Sequence, residues 1–502
     1  MRCTIVLGLA AVAAPVALWA QTSAPLSGAA ATLTARDVAE RIGIIADDSM
    51  MGRDTPSRGL DLTAQYVADQ FKSFGLRPGG DQGTWFQRYP ITSRRLDLGQ
   101  SRVVFSTGSA GDTVRFRSSA KYDGGSVPEH PVSGAAVLIA GRQTAVSAAQ
   151  LALEGKVALY VPSATADPDI AQQILRIVFL AGPRALVILS DADSSSFAAA
   201  IPGQAPERMV IGSAAERPVV IQVRARAVVR SLAGAGVNLS QARKSGAPIV
   251  RELPKLTVTL DLKDRVTSSL SAPNTVGILE GTDPALKVEY LVFSAHMDHI
   301  GITPGRADSI NNGADDDASG TAGVIELAQA FSRPGARPKR SIIFLAVSGE
   351  EKGLWGSNFF TSHSPVPLKQ IVAGINMDMI GRNWPDTIVA IGKEHSDLGA
   401  TLDRVNAAHP ELGMTAIDDR WPEERFYFRS DHYNFARRGI PILFFFNGVH
   451  QDYHEVTDSP VKINSEKEAR ILRLVFYLGQ EIANAPKRPQ WKPESHAEIV
   501  EE

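Results

Sequence analysis

Cysteine is almost absent from this 502-residue sequence, in which Cys3 is the only one. The chain therefore cannot form an internal disulfide, and any metal it binds must be held by imidazole and carboxylate groups. A large charge of either sign is also missing, since 52 basic and 54 acidic side chains leave a formal net charge of −2. Because this balance gives no general attraction to phosphate backbones, we expect no nucleic-acid partner.

Long apolar runs are missing beyond the N-terminus. The stretch from Ile5 to Trp19, broken by Pro15, follows a charged start and has the layout of a secretory signal peptide. Cleavage after Ala20 fits this layout. Two positions before Ala20, however, signal peptides prefer a small residue and this sequence has Leu18, so a retained membrane anchor is the alternative. We predict a signal peptide at residues 1–20 and an exported protein, periplasmic or secreted, with no membrane partner after cleavage.

The length and the changes of texture along the chain predict two domains. Between residues 125 and 250 the sequence consists of small residues and short aliphatic runs, with few histidines or paired carboxylates. We interpret this stretch as an inserted, non-catalytic domain. The catalytic domain is then discontinuous, covering residues 35–124 and 251–486, and a charged tail follows at residues 487–502.

The fold class follows from buried strands in the C-terminal half. Near-continuous apolar runs, typical of strands covered on both faces, occur at Tyr290–Ser294, Ile342–Val347, Val372–Met379 and Pro441–Phe446. Between the first two runs, Gly320 to Phe331 places its apolar residues on one side of a helix. The order strand, helix, strand predicts an α/β fold with a mixed central sheet flanked by helices.

Polar clusters follow these apolar strands. They are His296-Met297-Asp298, Asp315-Asp316-Asp317, Glu350-Glu351, Asp378 and Tyr453-His454. Taken singly, each also fits a structural interpretation, such as a hydrogen-bonded residue at a strand end, an acidic helix cap or a solvated loop. Their joint placement at strand ends, where open α/β sheets carry their sites, indicates a metal centre. His299, His432 and His450 compete as ligands, and spacing does not eliminate them.

Two of these positions have a more specific interpretation. His296 and Asp298 are two apart on a strand and project to the same side, so Asp298 is expected to orient the imidazole. Asp378 lies between Met377 and Met379, and a carboxylate in such surroundings needs a partner. A donor set of imidazoles and carboxylates without thiolate suits zinc.

Together the motifs resemble those of the co-catalytic two-zinc exopeptidases, the family of bacterial leucyl aminopeptidases, glutamate carboxypeptidase and the transferrin receptor. The matching pieces are His296-Met297-Asp298, Gly313–Gly320, Glu350-Glu351, Asn376–Gly381, Ser430–His432 and Tyr453-His454. The resemblance implies the zinc exopeptidase fold, two Zn²⁺ per chain and a peptide substrate. It also implies that the insert is a protease-associated domain, smaller than the catalytic domain and α/β or β-rich.

Carried over by residue, the resemblance implies that Asp316 bridges the two zinc ions. Glu351 and His454 would complete one metal position, and His296 and Asp378 the other. It further implies that Glu350 is the general base, that Tyr453 donates its hydroxyl to the oxyanion, and that the peptide bond between Asp316 and Asp317 is cis. Asp315 and Asp317 remain as supports.

The expected activity is removal of N-terminal residues from peptides. Candidate pocket residues are the aromatics Trp421, Phe426, Tyr427 and Phe428, which also fit a core role. A carboxypeptidase is the alternative, with Arg425 and Arg429 holding a terminal carboxylate, although a surface ion pair explains these arginines as well. A catalytically silent binding protein on the same scaffold is a further alternative. The sequence does not determine side-chain preference or oligomeric state.

Overall fold

The computed structural model describes residues 28–108, 110–141, 151–163, 175–176, 178–179, 181–212, 217–245 and 247–501. The predicted signal peptide, residues 1–20, lies outside the described residues and remains a prediction. The chain divides into two compact units, one made of the segments up to Arg88 and from Ala272 onward, the other of Tyr89–Ser271. Among the described residues, no helix has the length and apolar character that a membrane span requires.

The strands, in chain order, are β1 (Arg77–Pro78), β2 (Phe86–Leu96), β3 (Arg102–Thr107), β4 (Ala110–Arg115), β5 (Ala120–Gly124), β6 (Val132–Ala140), β7 (Val157–Val161), β8 (Ala185–Ser190), β9 (Glu207–Ile211), β10 (Val219–Arg224), β11 (Ile249–Asp261), β12 (Asp264–Leu279), β13 (Tyr290–His296), β14 (Ser341–Val347), β15 (Ile371–Met377), β16 (Thr387–Ile391), β17 (Thr415–Ile417) and β18 (Ile442–Phe445). The helices are α1 (Ala35–Ile45), α2 (Arg58–Ser73), α3 (Ser194–Ala199), α4 (Val229–Gly234), α5 (Leu239–Lys244), α6 (Gly320–Phe331), α7 (Trp355–Ser362), α8 (Leu398–Ala408), α9 (His432–Ala436), α10 (Ser465–Asn484) and α11 (Pro493–Ile499).

The central sheet of the first unit runs in the order β17-β16-β18-β15-β13-β14-β12. Strands β13, β14, β15 and β18 are mutually parallel, with His296 opposite Val347 and Ser294 opposite Asn376. Strands β12 and β16 pair antiparallel with β14 and β18. The sheet is therefore mixed, and the predicted α/β fold class is confirmed.

Both faces of this sheet are covered. Phe293 and Phe344 stack on one face and pack against Phe331 of α6, and Phe476 of α10 extends this aromatic layer. The neighbouring strand residues face the opposite side, where they join a core with Phe360 of α7 and Phe435 of α9. Because successive strand residues alternate between two buried faces, each strand reads as an unbroken apolar run.

The second unit has its own sheet, in the order β4-β3-β11-β6-β7-β8-β10-β5. Its middle strands β6, β7, β8 and β10 are parallel, and β11 pairs antiparallel with β3 and β6. The predicted insert, residues 125–250, lies within this unit, but residues 102–124 also belong here because they form β3, β4 and β5 of the same sheet. The structural unit spans Tyr89–Ser271, whereas the insert is predicted at residues 125–250, and the protease-associated identity stays a prediction.

The tail predicted at residues 487–502 belongs to the first unit, as far as Glu501, the last residue described. It carries α11, and the indole N–H of Trp491 donates a 2.9 Å hydrogen bond to the carbonyl of Gly439. Ile499 is buried in the core that also contains Phe360. The tail, as far as Glu501, is therefore part of the folded first unit.

Candidate metal centre

The predicted ligands meet at one edge of the central sheet. His296 is the last residue of β13, Asp378 directly follows β15, and Glu350 and Glu351 follow β14 after a short turn. His454 comes from the loop after β18. Since these strands are parallel, their carboxyl ends lie at the same edge of the sheet and bring together residues that are far apart in sequence.

One group of donors consists of His296, Asp316 and Asp378, all buried. The Nε2 atom of His296 lies 3.2 Å from Oδ1 of Asp316 and 3.6 Å from Oδ1 of Asp378. Ser430 donates a 3.0 Å hydrogen bond to Oδ2 of Asp378 and so holds the other oxygen of that carboxylate. One oxygen of Asp378 thus remains directed toward His296.

A second group of donors lies on the other side of Asp316. The Nε2 atom of His454 is 3.2 Å from Oδ2 of Asp316 and 3.2 Å from Oε2 of Glu351. His299 adds its Nδ1 atom, 2.9 Å from Oε1 of Glu351. The two oxygens of Asp316 therefore face different donor groups, as a bridging carboxylate requires.

These contacts fit bound metal ions. Four of the buried donor atoms have no hydrogen-bond partner in the structure, namely Oδ2 of Asp316, Oε1 of Glu351, Oδ1 of Asp378 and Nε2 of His454. Buried polar atoms without partners are rare, and an ion is one standard explanation. Donors about 2.0–2.1 Å from a tetrahedral zinc lie about 3.3 Å from each other, and the observed separations of 3.2 Å agree with that value.

The three adjacent aspartates have separate roles. Asp317 accepts hydrogen bonds from the backbone N–H groups of His296 (3.1 Å), Gly320 (2.8 Å) and Met379 (3.3 Å), so it ties the start of α6 to two strand ends. Asp315 accepts a 2.7 Å hydrogen bond from the N–H of Gly381. Asp316 is the one that reaches both donor groups, and the peptide bond to Asp317 is cis, as the resemblance implies.

The carboxylate of Asp298 contacts the backbone of the Glu350 loop more closely than the imidazole of His296 that it was expected to orient. Its carboxylate is 3.7 Å from Nδ1 of His296, beyond hydrogen-bond distance, whereas its backbone carbonyl is 3.2 Å away. The same carboxylate accepts hydrogen bonds from the Thr55 hydroxyl at 2.9 Å and the Glu350 N–H at 3.3 Å. Thr55 in turn accepts a 3.1 Å hydrogen bond from the Gly349 N–H.

Glu350 and Asp316, which both line the cleft, have opposite pKa shifts. Burial raises its pKa well above the ordinary value, and the neighbouring carboxylates of Asp431, Asp378 and Glu351 add to the rise, against the opposing effect of His296. Asp316 has the opposite shift, because nearby imidazoles outweigh burial and hold its pKa well below the ordinary range. Burial also raises the pKa of Asp378, so the raised pKa of Glu350 separates it from Asp316 and Glu351 only.

Tyr453 lies beside this centre. Its ring stacks on His454 with centroids 3.9 Å apart, and 37% of its surface is exposed. Burial, followed by the charges of Asp316 and Glu351, raises the pKa of its hydroxyl, which therefore stays protonated at neutral pH. A protonated phenol at the rim of the cleft is available as a hydrogen-bond donor.

The three histidines that compete as ligands have different surroundings in the structure. His432 stacks on Phe444 with centroids 4.2 Å apart, and burial lowers its pKa to about 3, so it is a neutral core residue. His450 contacts Oδ2 of Asp315 at 3.1 Å. His299 lies with Asp316 and Glu351 in the second group of candidate donors.

Arg53 is a supporting residue that sequence reasoning missed. It is fully buried and donates hydrogen bonds to the carbonyls of Ile45, Met297, Asn312 and Gly313. Burial lowers its pKa to about 10, with partial compensation from nearby aspartates. The only sequence signal was the motif Met51-Gly52-Arg53, which carries no chemistry by itself.

The cleft over the centre has an apolar side. It is lined by Met379, Phe426, Phe444, Phe446 and Val449, together with Arg429, Ser430 and Tyr453. Of the four predicted pocket aromatics, Phe426 lines this cleft, while Trp421 packs on Phe446, Tyr427 on His432 and Phe428 on Tyr433. Arg429 contacts Oε2 of Glu424 at 3.2 Å with both side chains exposed, and the guanidinium of Arg425 lies over the ring of Phe428.

The donor groups at the sheet edge form a candidate metal centre, and comparison with known proteins agrees with it. Residues 274–479 match the model of peptidase family M28. This part of the chain holds all five predicted ligands, and the match confirms the resemblance to the co-catalytic zinc exopeptidases.

Curated relatives include a probable zinc metalloprotease of Pyricularia oryzae, 27% identical over 44% of this chain and 52% of its own length. Another is leupeptin-inactivating enzyme 1 of Streptomyces exfoliatus, 26% identical over 53% and 58%. The chain thus spans about half the length of the curated relatives it matches. The solved aminopeptidase of Aneurinibacillus sp. strain AM-1 has a TM-score of 0.50 at 18% identity, covering 92% of this chain and 97% of that one, and shows the shared fold alone.

Proposed function

We propose that this protein is a zinc-dependent aminopeptidase that hydrolyses the N-terminal peptide bond of peptides at a two-metal centre. The observation that carries the proposal is the carboxylate of Asp316, whose Oδ1 faces His296 and whose Oδ2 faces His454, each at 3.2 Å. His296 and Asp378 would hold one ion, and Glu351 and His454 the other. When bound, the ions would polarise the scissile carbonyl and acidify the attacking water.

The side chains of the cleft supply the proton transfers. Glu350 would take the proton of the attacking water and deliver it to the leaving amine, a role that its raised pKa suits. Asp298 would hold the loop of Glu350 through the N–H of that residue. Tyr453 would donate its hydroxyl to the carbonyl oxygen as negative charge develops there, and such a donor contributes about 3–4 kcal/mol.

The apolar side of the cleft supports a preference for peptides whose first side chain is large and apolar, since Phe426, Phe446 and Val449 line it. The carboxypeptidase alternative depends on Arg425 and Arg429. Arg429 reaches the cleft but is engaged with Glu424, and Arg425 lies over Phe428. A silent binding protein is disfavoured because the donors and Glu350 are all present and in contact range.

The test uses the full-length chain loaded with zinc. We expect about two zinc ions per chain, loss of aminoacyl p-nitroanilide cleavage on chelation, and a fall of about 10²–10⁴ in kcat for Glu350→Gln with both ions retained. Full activity of Glu350→Gln would overturn the mechanism.

The direction of attack is tested separately with one peptide in free and N-acetylated forms. Shortening of the free peptide from its N-terminus supports the aminopeptidase. Shortening of both peptides from the C-terminus would favour the carboxypeptidase instead.

A further inference from the structure

His299 is a buried imidazole at the centre to which the proposed five-ligand set gives no role. It has no exposed surface, and its Nδ1 atom lies 2.9 Å from Oε1 of Glu351 and 3.7 Å from Oδ2 of Asp316. Its ring meets that of His454 edge to face, with centroids 5.7 Å apart. His299 therefore occupies the Glu351 side of the centre, away from Asp378.

The nitrogen atoms of His299 are in the same condition as the proposed metal donors. Neither Nδ1 nor Nε2 makes a hydrogen bond of ordinary geometry, although Nδ1 is within contact distance of a carboxylate oxygen. Oε1 of Glu351, Oδ2 of Asp316 and Nε2 of His454 are likewise buried without hydrogen-bond partners. Four atoms in this condition converge on one place, which is what donors to a common ion do.

A structural role alone explains His299 less well. The ring nitrogens of the core residue His432 also have no hydrogen-bond partner, but that ring stacks on Phe444 with centroids 4.2 Å apart, whereas His299 faces the carboxylate of Glu351. The ring of His299 instead lies against Gly313, where an added Cβ would come within 2.5 Å of its Cγ atom. Its backbone N–H is held by the Arg53 carbonyl at 3.3 Å. The imidazole is thus held between Gly313 and two proposed ligands of the same ion.

We infer that His299, through Nδ1, is a further donor to the ion held by Glu351 and His454. This inference rests on the two-metal centre proposed above. The two proposed metal positions then differ in their ligands, because one has two imidazoles, from His299 and His454, and the other has only that of His296. Imidazole is a preferred zinc ligand, so the loss of His299 should affect one position selectively.

The experiment measures stepwise zinc affinities of the metal-free, full-length protein by competition with a chromophoric chelator. For His299→Ala we expect one dissociation constant to rise about 10- to 100-fold and the other to stay within about 2-fold. The matched control is His450→Ala, which removes a neighbouring imidazole that contacts Asp315 and should leave both constants within about 2-fold. Equal affinities in wild type and His299→Ala would overturn the inference.

Two further measurements keep the inference falsifiable if His299→Ala does not fold. His299→Gln is titrated in the same way, and a crystal structure of the zinc-loaded wild type gives the distance from Nδ1 to the nearer ion. A distance of about 2.0–2.1 Å supports the inference, whereas an Nδ1 that only donates to Glu351 overturns it. If the wild type binds two zinc ions and cleaves peptides, and His299→Ala has the same zinc affinities, the inference about His299 fails but the proposed function stands. If the wild type binds no zinc, both the inference and the proposed function fail.

Discussion

The hydroxyl of Thr55 donates a 2.9 Å hydrogen bond to Oδ2 of Asp298, and the two side chains are both fully buried. Through this pair, a segment before α2 supports the loop of Glu350, the proposed general base. Thr55 also accepts a hydrogen bond from the Gly349 N–H, and Asp298 accepts one from the Glu350 N–H. The position of Glu350 thus depends on a residue almost 300 positions earlier.

Thr55→Val keeps the shape of the side chain but removes its hydroxyl. We expect kcat/KM to fall about 10- to 100-fold, because buried groups that lose a partner cost about 1–3 kcal/mol and the Glu350 loop shifts, while zinc affinity stays unchanged. Steady-state kinetics and zinc titration measure both effects. Thr63→Val is the matched control, since Thr63 is a buried threonine that bonds only within α2, to the Gly59 carbonyl. Equal losses in the two variants would contradict the role given to Thr55.

Asp316 and Asp317 are neighbours, but we expect their replacement to affect the stability of the metal-free protein to different extents. Asp317→Ala leaves the N–H groups of His296, Gly320 and Met379 without their acceptor, so we expect the metal-free protein to lose about 3–5 kcal/mol. Asp316→Ala removes a carboxylate that carries no such backbone contacts on its side chain. It should cost the metal-free protein far less but abolish the rise in thermal stability on adding zinc.

Urea unfolding of both variants, with and without zinc, separates these effects. Similar losses in the metal-free state would show that the two aspartates are not distinguished in this way.

Arg53→Met removes the donor to the four carbonyls that Arg53 joins. We expect a loss of about 3–5 kcal/mol in the free energy of unfolding, because these carbonyls are buried and no other cation replaces the guanidinium. Arg58→Met is the control, since Arg58 is exposed at the start of α2 and such substitutions usually stay within about 0.5 kcal/mol. Chemical denaturation at neutral pH measures both, and equal stability of the two variants would contradict the prediction.

We expect Asp112 to stabilise the second unit at neutral pH and to lose this effect at acidic pH. Burial by itself would raise its pKa, but the N–H and hydroxyl of Ser231 and the guanidinium of Arg230 outweigh burial and lower the pKa below the ordinary value of 3.8. Because the pKa of Asp112 is lower in the folded than in the unfolded state, its contribution to stability is complete at pH values above the unfolded-state pKa. This contribution is lost as the pH falls through the folded-state pKa. Asp112→Asn should therefore be less stable than wild type at pH 7, with a difference that narrows below about pH 4.

Urea titrations of wild type and Asp112→Asn at pH 7, 5 and 3.5 measure this difference. A gap that widens toward acid would contradict the assignment.

Much of the first unit could be predicted from the sequence because its signals are local. The apolar runs of β13, β14, β15 and β18 mark strands buried on two faces, and the polar residues that end them mark the edge where a site forms. The boundary of the second unit could not be predicted, because β3 pairs with β11 and β5 with β10, both far along the chain, and β4 joins the sheet through β3. Strand pairing across such separations leaves no local pattern.

The sequence by itself determined the chemistry available to this protein: carboxylates and imidazoles without thiols, arranged at the ends of buried strands. Only the tertiary structure decided which of them meet. In the structure, the three adjacent aspartates have three different sets of partners, and the carboxylate of Asp298 contacts Thr55 and the Glu350 N–H instead of His296. His299 lies among the candidate donors, whereas His432 packs in the core. The reason is physical, since ligand geometry is a matter of a few ångströms between side chains on different strands, and those distances depend on how the sheet and its loops pack.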